Sequence, residues 1–249
     1  MLEVNKIYNE DCLITMKKIP NSFVDLVITS PPYNMNLRIR NNEYCSRQIA
    51  RDFNTKYDGY SDNLPIGEFY QLNKYILKEL LRISKIIFYN ISIVTGSKRA
   101  FFKLIGDYSD YLKDIVIWDK NVGQPAMQNN VLNRQSELIL IFENDGAISR
   151  QFKKCNFNRG TLSDTWIIPR GKKVFSNHGA TFPEALVEKI LINFSNKDDI
   201  IYDPFSGTGT VAVVSNKMKR KYIGSEINLD YFNLSINRLN NIPSKGIFD

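Results

Sequence analysis

Residues Phe23 to Ile28 form a short apolar run that stops at two consecutive prolines, in Thr29-Ser30-Pro31-Pro32-Tyr33-Asn34. A run of this length reads as a buried strand. Proline neither donates to a sheet ladder nor continues a helix, so both regular continuations end here. What remains is a stiff loop at the carboxyl end of a strand, where open α/β sheets hold ligands. The loop's atoms suit an exocyclic amino group on a base. The Ser30 hydroxyl and the Pro31 carbonyl each offer an acceptor for one N–H, which would aim the nitrogen lone pair at an incoming methyl group. Tyr33 offers a flat face to an extruded base, a contact worth roughly 1–3 kcal/mol. The plainer alternative is a Pro-Pro turn that only caps a strand.

A second stretch narrows the choice. Strand-like Asp199-Ile200-Ile201-Tyr202 leads into Asp203-Pro204-Phe205-Ser206-Gly207-Thr208-Gly209-Thr210, and Val211 to Met218 reads as a helix. Strand, glycine loop and helix form the nucleotide-binding layout, and Gly207 and Gly209 let the backbone approach a ligand closely. The full Gly-x-Gly-x-x-Gly fingerprint is missing and no Gly-Lys-Ser/Thr follows, so neither NAD nor a P-loop nucleotide fits well. Glu226 closes the apolar run Tyr222-Ile223-Gly224-Ser225, 23 residues after Asp203. An acid at about that distance binds ribose hydroxyls in this architecture.

Together the two stretches resemble the DNA amino-methyltransferases that use S-adenosylmethionine. Thr29-Ser30-Pro31-Pro32-Tyr33 resembles their catalytic motif, and Asp203 to Thr210 their methionine-binding motif. The catalytic motif comes first, as in the permuted (beta) group. The resemblance implies an α/β fold: a doubly wound, mostly parallel seven-stranded methyltransferase sheet with helices on both faces and an added antiparallel strand at one edge. It implies catalytic roles for Ser30, Pro31, Pro32 and Tyr33. It implies cofactor contacts from Asp11, Thr29, Phe182, Asp203, Phe205, Ser206, Gly207, Thr208, Gly209, Thr210 and Glu226. The partner is double-stranded DNA, with a companion restriction endonuclease possible and a monomer or homodimer as the assembly.

The target is a flipped cytosine at N4 or an adenine at N6. Ser30 resembles the cytosine version, which is favoured; the adenine version usually carries Asp or Asn there, although Tyr33-Asn34 is frequent among adenine enzymes. Carbon-5 methylation needs a Pro-Cys nucleophile, and none of Cys12, Cys45 and Cys155 follows a proline. An RNA or protein-glutamine methyltransferase, or a silent cofactor-sensing DNA-binding module, are alternatives from other classes.

The rest of the chain fits one methyltransferase domain over its 249 residues. No apolar run approaches a membrane span. The first residues lack a signal-peptide core, and three scattered cysteines suit a reducing, cytoplasmic setting. With one histidine, a zinc site is not expected. A formal charge of +7 suits a polyanion. Residues 35–65 are expected to form a mobile, DNA-facing loop carrying Arg38, Arg40, Arg47 and Arg51, with a plain solvated loop as the alternative. Residues 144–175 are expected to be the target-recognition insertion, with Lys153, Lys154, Arg159, Lys172 and Lys173 on DNA and Phe152, Phe157 and Trp166 interleaved. Asp11 either caps the next helix or holds the cofactor's adenine amino group. Trp118 and Lys120, at a strand end, line the base pocket or, for Trp118, the core.

Overall fold

The computed structural model describes residues 2–35, 37–40, 43–46, 62–124, 129–146, 149–171 and 182–242. The chain begins with β1 (Lys6–Tyr8), α1 (Cys12–Lys18) and β2 (Val24–Thr29). A hairpin of β3 (Leu37–Arg40) and β4 (Glu43–Ser46) follows. Next come α2 (Ile66–Ile83), β5 (Ser84–Ile91), α3 (Lys98–Asp107), β6 (Leu112–Gln124), β7 (Arg134–Glu143) and β8 (Thr165–Ile167). The chain closes with α4 (Glu184–Phe194), β9 (Ile200–Asp203), α5 (Thr210–Lys217), β10 (Lys221–Ser225) and α6 (Leu229–Asn240).

Eight strands form one sheet in the order β1-β10-β9-β2-β5-β7-β6-β8. The first five run parallel, and β7 runs antiparallel to both β5 and β6. The expected count of seven is therefore one short. The extra strand, β8, pairs parallel with β6 and comes from the segment expected to face DNA.

Apart from Asp25 and Thr29, strand β2 is apolar because both its faces are covered. Val24 and Val27 pack with Met16, Leu77 and Leu80 of α1 and α2. Leu26 and Ile28 pack with Leu186, Val187 and Val214 of α4 and α5. Strand β5 alternates likewise, Ile87 and Tyr89 to the first layer, Ile86 and Phe88 to the second. Helix α2 holds its face through Phe69, Ile76, Leu77, Leu80 and Ile83, the 3–4 residue spacing of an amphipathic helix. It ends where Ser84 becomes extended and its hydroxyl donates to the Leu80 carbonyl at 2.6 Å.

The basic segment 149–171 is built into the fold. Phe152 and Phe157 pack edge-on against Phe194, with centroids 5.2 and 5.3 Å away. Trp166 is 1% exposed. Trp166 is core, and Phe152 and Phe157 are partly buried against the same cluster. Lys154 pairs with Asp199 at 2.8 Å and lies 3.8 Å from Asp25, acids at the amino ends of β9 and β2. Lys153 pairs with Asp145, and Arg150 with Asp114. The structure thus puts Lys153 and Lys154 at the amino end of the parallel strands, opposite the proline loop.

Candidate active site

The site gathers at the carboxyl ends of β1, β10, β9, β2 and β5. After β9, Gly207 and Gly209 have φ of 51° and 78°. A Cβ on Gly209 would stand 2.7 Å from the Ser235 Cβ, so both backbone angle and space require glycine. The Arg238 guanidinium on α6 ties this loop down. It donates to the Thr208 carbonyl (2.7 Å) and the Thr210 hydroxyl (3.0 Å), and reaches Glu184 at 3.1 Å.

Asp203 accepts bonds from the Thr29 hydroxyl at 2.9 Å and from the Phe205 N–H at 3.0 Å, both at Oδ1. Burial pushes its carboxyl up to about 7, with the nearby Glu226 adding to the rise. Glu226 is also raised, again by burial. Its two oxygens accept from the N–H groups of Gly207 (2.7 Å) and Asn228 (2.8 Å). The Ser206 hydroxyl is buried without a hydrogen-bond partner among the described residues. Asp11 caps α1, its Oδ1 accepting from the Leu13 N–H at 2.7 Å. The neighbouring Asn9 side chain donates to the Glu226 carbonyl at 2.8 Å, so the β1 and β10 loops adjoin.

On β2, Thr29 is fully buried against Asp203, and Ser30 opens the proline loop. The Ser30 hydroxyl lies 2.5 Å from the Tyr33 hydroxyl. Asn90, at the end of β5, donates to the Tyr33 oxygen (2.7 Å) and to Glu137 Oε2 (2.6 Å). Tyr33 also donates to Glu137 Oε2 at 3.2 Å, and Lys120 Nζ sits 2.5 Å from Glu137 Oε1. The resulting chain Ser30–Tyr33–Asn90/Glu137–Lys120 spans four strands or loops. Tyr33 is 3% exposed. Its ring is therefore packed in the core here, not open as a stacking face.

The loop's exit is fixed as well. Asn34 has φ 56°, and the Asp62 carboxylate accepts from the backbone N–H groups of Asn34 (2.6 Å) and Met35 (2.8 Å). Pro31 is buried and Pro32 half-buried. Trp118 is core: it is 4% exposed and its indole N–H donates to the Ile168 carbonyl at 2.8 Å. Phe182 packs against that ring at 6.3 Å.

Arg159 is exposed on the described part of the basic segment. Arg38 and Arg40 lie on β3, whose hairpin with β4 occupies part of the expected loop. Arg47, Arg51, Lys172 and Lys173 lie outside the described residues. Sequence reasoning missed Asn90, Glu137, Asp62 and Arg238. Only Asn90 carried a signal, as an amide inside the apolar run of β5, since a buried polar group needs partners.

A glycine loop after one strand and an acceptor-bearing proline loop after its neighbour define a cofactor-dependent α/β enzyme. A family model described as DNA methylase, covering N6 and N4 enzymes, matches residues 24–237, and the chain belongs to that family. It is 24% identical over 280 residues to the type II methyltransferase M.BglII of Bacillus subtilis, covering 98% of this chain and 71% of that protein. Among solved structures it is similar in fold to the cytosine-N4-specific PvuII DNA methyltransferase, with a TM-score of 0.70 and 19% identity over 95% of this chain and 87% of that one. It is also similar to M1.HpyAVI, solved as a complex with S-adenosylmethionine, with a TM-score of 0.61 and 18% identity over 94% and 98% of the two chains. The protein is an S-adenosylmethionine-dependent DNA methyltransferase.

The residues present fit that cofactor. The unpartnered Ser206 hydroxyl and the buried Asp203 carboxylate suit a cationic, hydrogen-bonding ligand chemically. Glu226 is oriented by backbone N–H groups, among them those of Gly207 and Asn228, and a carboxylate so held keeps acceptor capacity for hydroxyls.

Proposed function

We propose that this chain methylates the exocyclic N4 of a cytosine flipped out of duplex DNA. The observation that carries the reading is the Thr29–Ser30 step. Thr29 is bonded to Asp203 of the cofactor loop, and Ser30, the next residue, is bonded into the buried Tyr33–Asn90–Glu137 network. An acceptor for an amino group thus stands one residue from the cofactor loop.

The roles follow from the atoms. Ser30 Oγ and the Pro31 carbonyl each take one N–H of the amine. Holding the nitrogen by both hydrogens turns its lone pair toward the reacting carbon, and such positioning supplies much of the acceleration. The bound cofactor supplies an electrophilic methyl on a sulfonium leaving group. Asp203 takes the cofactor's ammonium, Glu226 its ribose hydroxyls, and the Gly207–Gly209 backbone its close approach. Asp11 is the site for the adenine amino group, alongside its capping bond.

DNA approaches over the same sheet edge. Exposed Arg134 and Arg170 lie near enough to Lys120 to oppose its charge. They suit phosphates beside the flipped base, and the 35–65 region, including Arg38 and Arg40, supplies further basic contacts.

The test is product analysis. Purified protein, labelled cofactor and genomic DNA are incubated, and the DNA is digested to nucleosides. Labelled N4-methylcytosine is expected. N6-methyladenine replaces the base but keeps the mechanism, whereas 5-methylcytosine, or label in RNA or protein in place of DNA, refutes the reading.

A further inference from the structure

The buried pair Lys120–Glu137 lies behind the proline loop, and both side chains are nearly closed to solvent, at 6% and 10% exposed. A buried ion pair is costly to desolvate and is weak evidence of stability, so its position calls for another account. Three donors converge on this one carboxylate: Lys120 at 2.5 Å on Oε1, Asn90 at 2.6 Å and Tyr33 at 3.2 Å on Oε2. An ionised carboxylate only accepts, so it dictates where the protons of its neighbours point.

The consequence can be followed atom by atom. Tyr33 has one proton and two choices, Ser30 Oγ and Glu137 Oε2. A hydroxyl bond to a charged acceptor is roughly twice as strong as a neutral one. The Tyr33 proton therefore goes to Glu137. Its oxygen then accepts from Asn90 at 2.7 Å and from the Ser30 hydroxyl at 2.5 Å, which fills both lone pairs. Ser30 has spent its only proton inward, so it presents lone pairs alone to the pocket.

We infer that Glu137, held by Lys120 and Asn90, is a positioning residue that polarises the chain Ser30→Tyr33→Glu137. Ser30 then becomes an obligate acceptor that takes an amino base and rejects a keto base. The inference rests on the reading that Ser30 receives the target amine, and it adds the device that sets the polarity. A base with a carbonyl in place of the amino group brings an acceptor against an acceptor. Discrimination of this kind is strong because a buried polar group is left unpaired.

Glu137→Gln reverses the chain. Lys120 keeps the amide oxygen, so the amide NH2 faces Tyr33. Tyr33 must accept there and donate to Ser30, whose proton then turns outward. Glu137→Asp keeps the charge and serves as the conservative rescue. Calorimetry with S-adenosylmethionine should give wild-type affinity in both variants, which certifies the fold.

In the Glu137→Gln variant, single-turnover methyl transfer should fall at least about tenfold. The KM for DNA should change less. The preference for duplex carrying the target base over duplex carrying its keto analogue (uracil for cytosine) should also shrink. Glu137→Asp should recover much of both. Wild-type turnover, or unchanged amino-over-keto preference, in a Glu137→Gln protein that binds cofactor normally overturns the inference. A wild-type product without an exocyclic methylamine would instead overturn the reading beneath it.

Discussion

Protonation of Asp203 should govern cofactor affinity between pH 6 and 8. Its carboxyl is buried and raised to about 7, while its hydrogen bonds from Thr29 and Phe205 both fall on Oδ1. The carboxylate must be charged to receive an ammonium. Apparent affinity then scales with its ionised fraction: with a pKa of about 7 the weakening factor is about 11 at pH 6 and about 1.3 at pH 7.5. The ligand's α-amino group, losing its proton near 7.8, adds a loss of about 1.5-fold at pH 7.5 and almost none at pH 6. The net expectation is a dissociation constant about sixfold larger at pH 6 than at pH 7.5, with protons released on binding on the acid side. Titration calorimetry in buffers of different ionisation enthalpy reads both quantities. Asp203→Asn should bind weakly and lose the acid-side slope. The same group has the opposite sign in folding. Its folded pKa lies above the unfolded value of 3.8, so the folded protein binds the extra proton, and stability falls as pH rises from about 4 through 7. Flat affinity from pH 6 to 7.5, or an equal slope in Asp203→Asn, would refute the placement of the ammonium at Asp203.

Other variants test the remaining parts. Gly209→Ala should lower unfolding free energy by about 2–3 kcal/mol, because a left-handed residue costs about 1–2 kcal/mol and the new Cβ meets Ser235; urea denaturation reads it. Arg238→Met removes charge-assisted bonds worth about 1.5–3 kcal/mol from the Thr208–Thr210 loop, so cofactor affinity should drop by roughly tenfold or more while the DNA salt slope stays fixed. Neutralising Arg134 and Arg170 should flatten the salt dependence of DNA binding by about one to two units of slope, whereas Lys153→Met/Lys154→Met should leave it unchanged; binding measured from 50 to 200 mM salt decides between the two edges.

Short-range pattern made much of this fold legible. The apolar runs of β2, β5, β9 and β10 announce buried parallel strands, and the proline and glycine loops mark where their carboxyl ends lie. Ion pairing was less legible. Lys153 and Lys154 look like a nucleic-acid patch in sequence, yet their partners Asp145 and Asp199 lie 8 and 45 residues away. Asp199 is supplied by a distant segment, which composition within 144–175 cannot see. Phe152, Phe157 and Trp166 were equally ambiguous, since an aromatic side chain among lysines reads alike whether it faces a base or Phe194. Glu137 was hidden just ahead of the apolar run Leu138 to Phe142 within β7. Its meaning appears only when β5 and β7 pair and bring Asn90 beside it.

The pairing of β9 with β2 explains why chain order matters so little to this site. Thr29 and Asp203 are 174 residues apart yet share a 2.9 Å hydrogen bond, because their strands are parallel neighbours with Leu26 opposite Ile201 and Val27 opposite Tyr202. From β9 the chain moves outward to β10, while from β2 it moves the other way to β5. The crevice between them is thus the switch point at which open α/β sheets bind ligands. A cofactor loop and a catalytic loop need only lie on the two sides of that crevice. Which one the ribosome makes first changes the connections at the sheet's periphery, and leaves the Thr29–Asp203 contact and the Ser30 acceptor beside it in place.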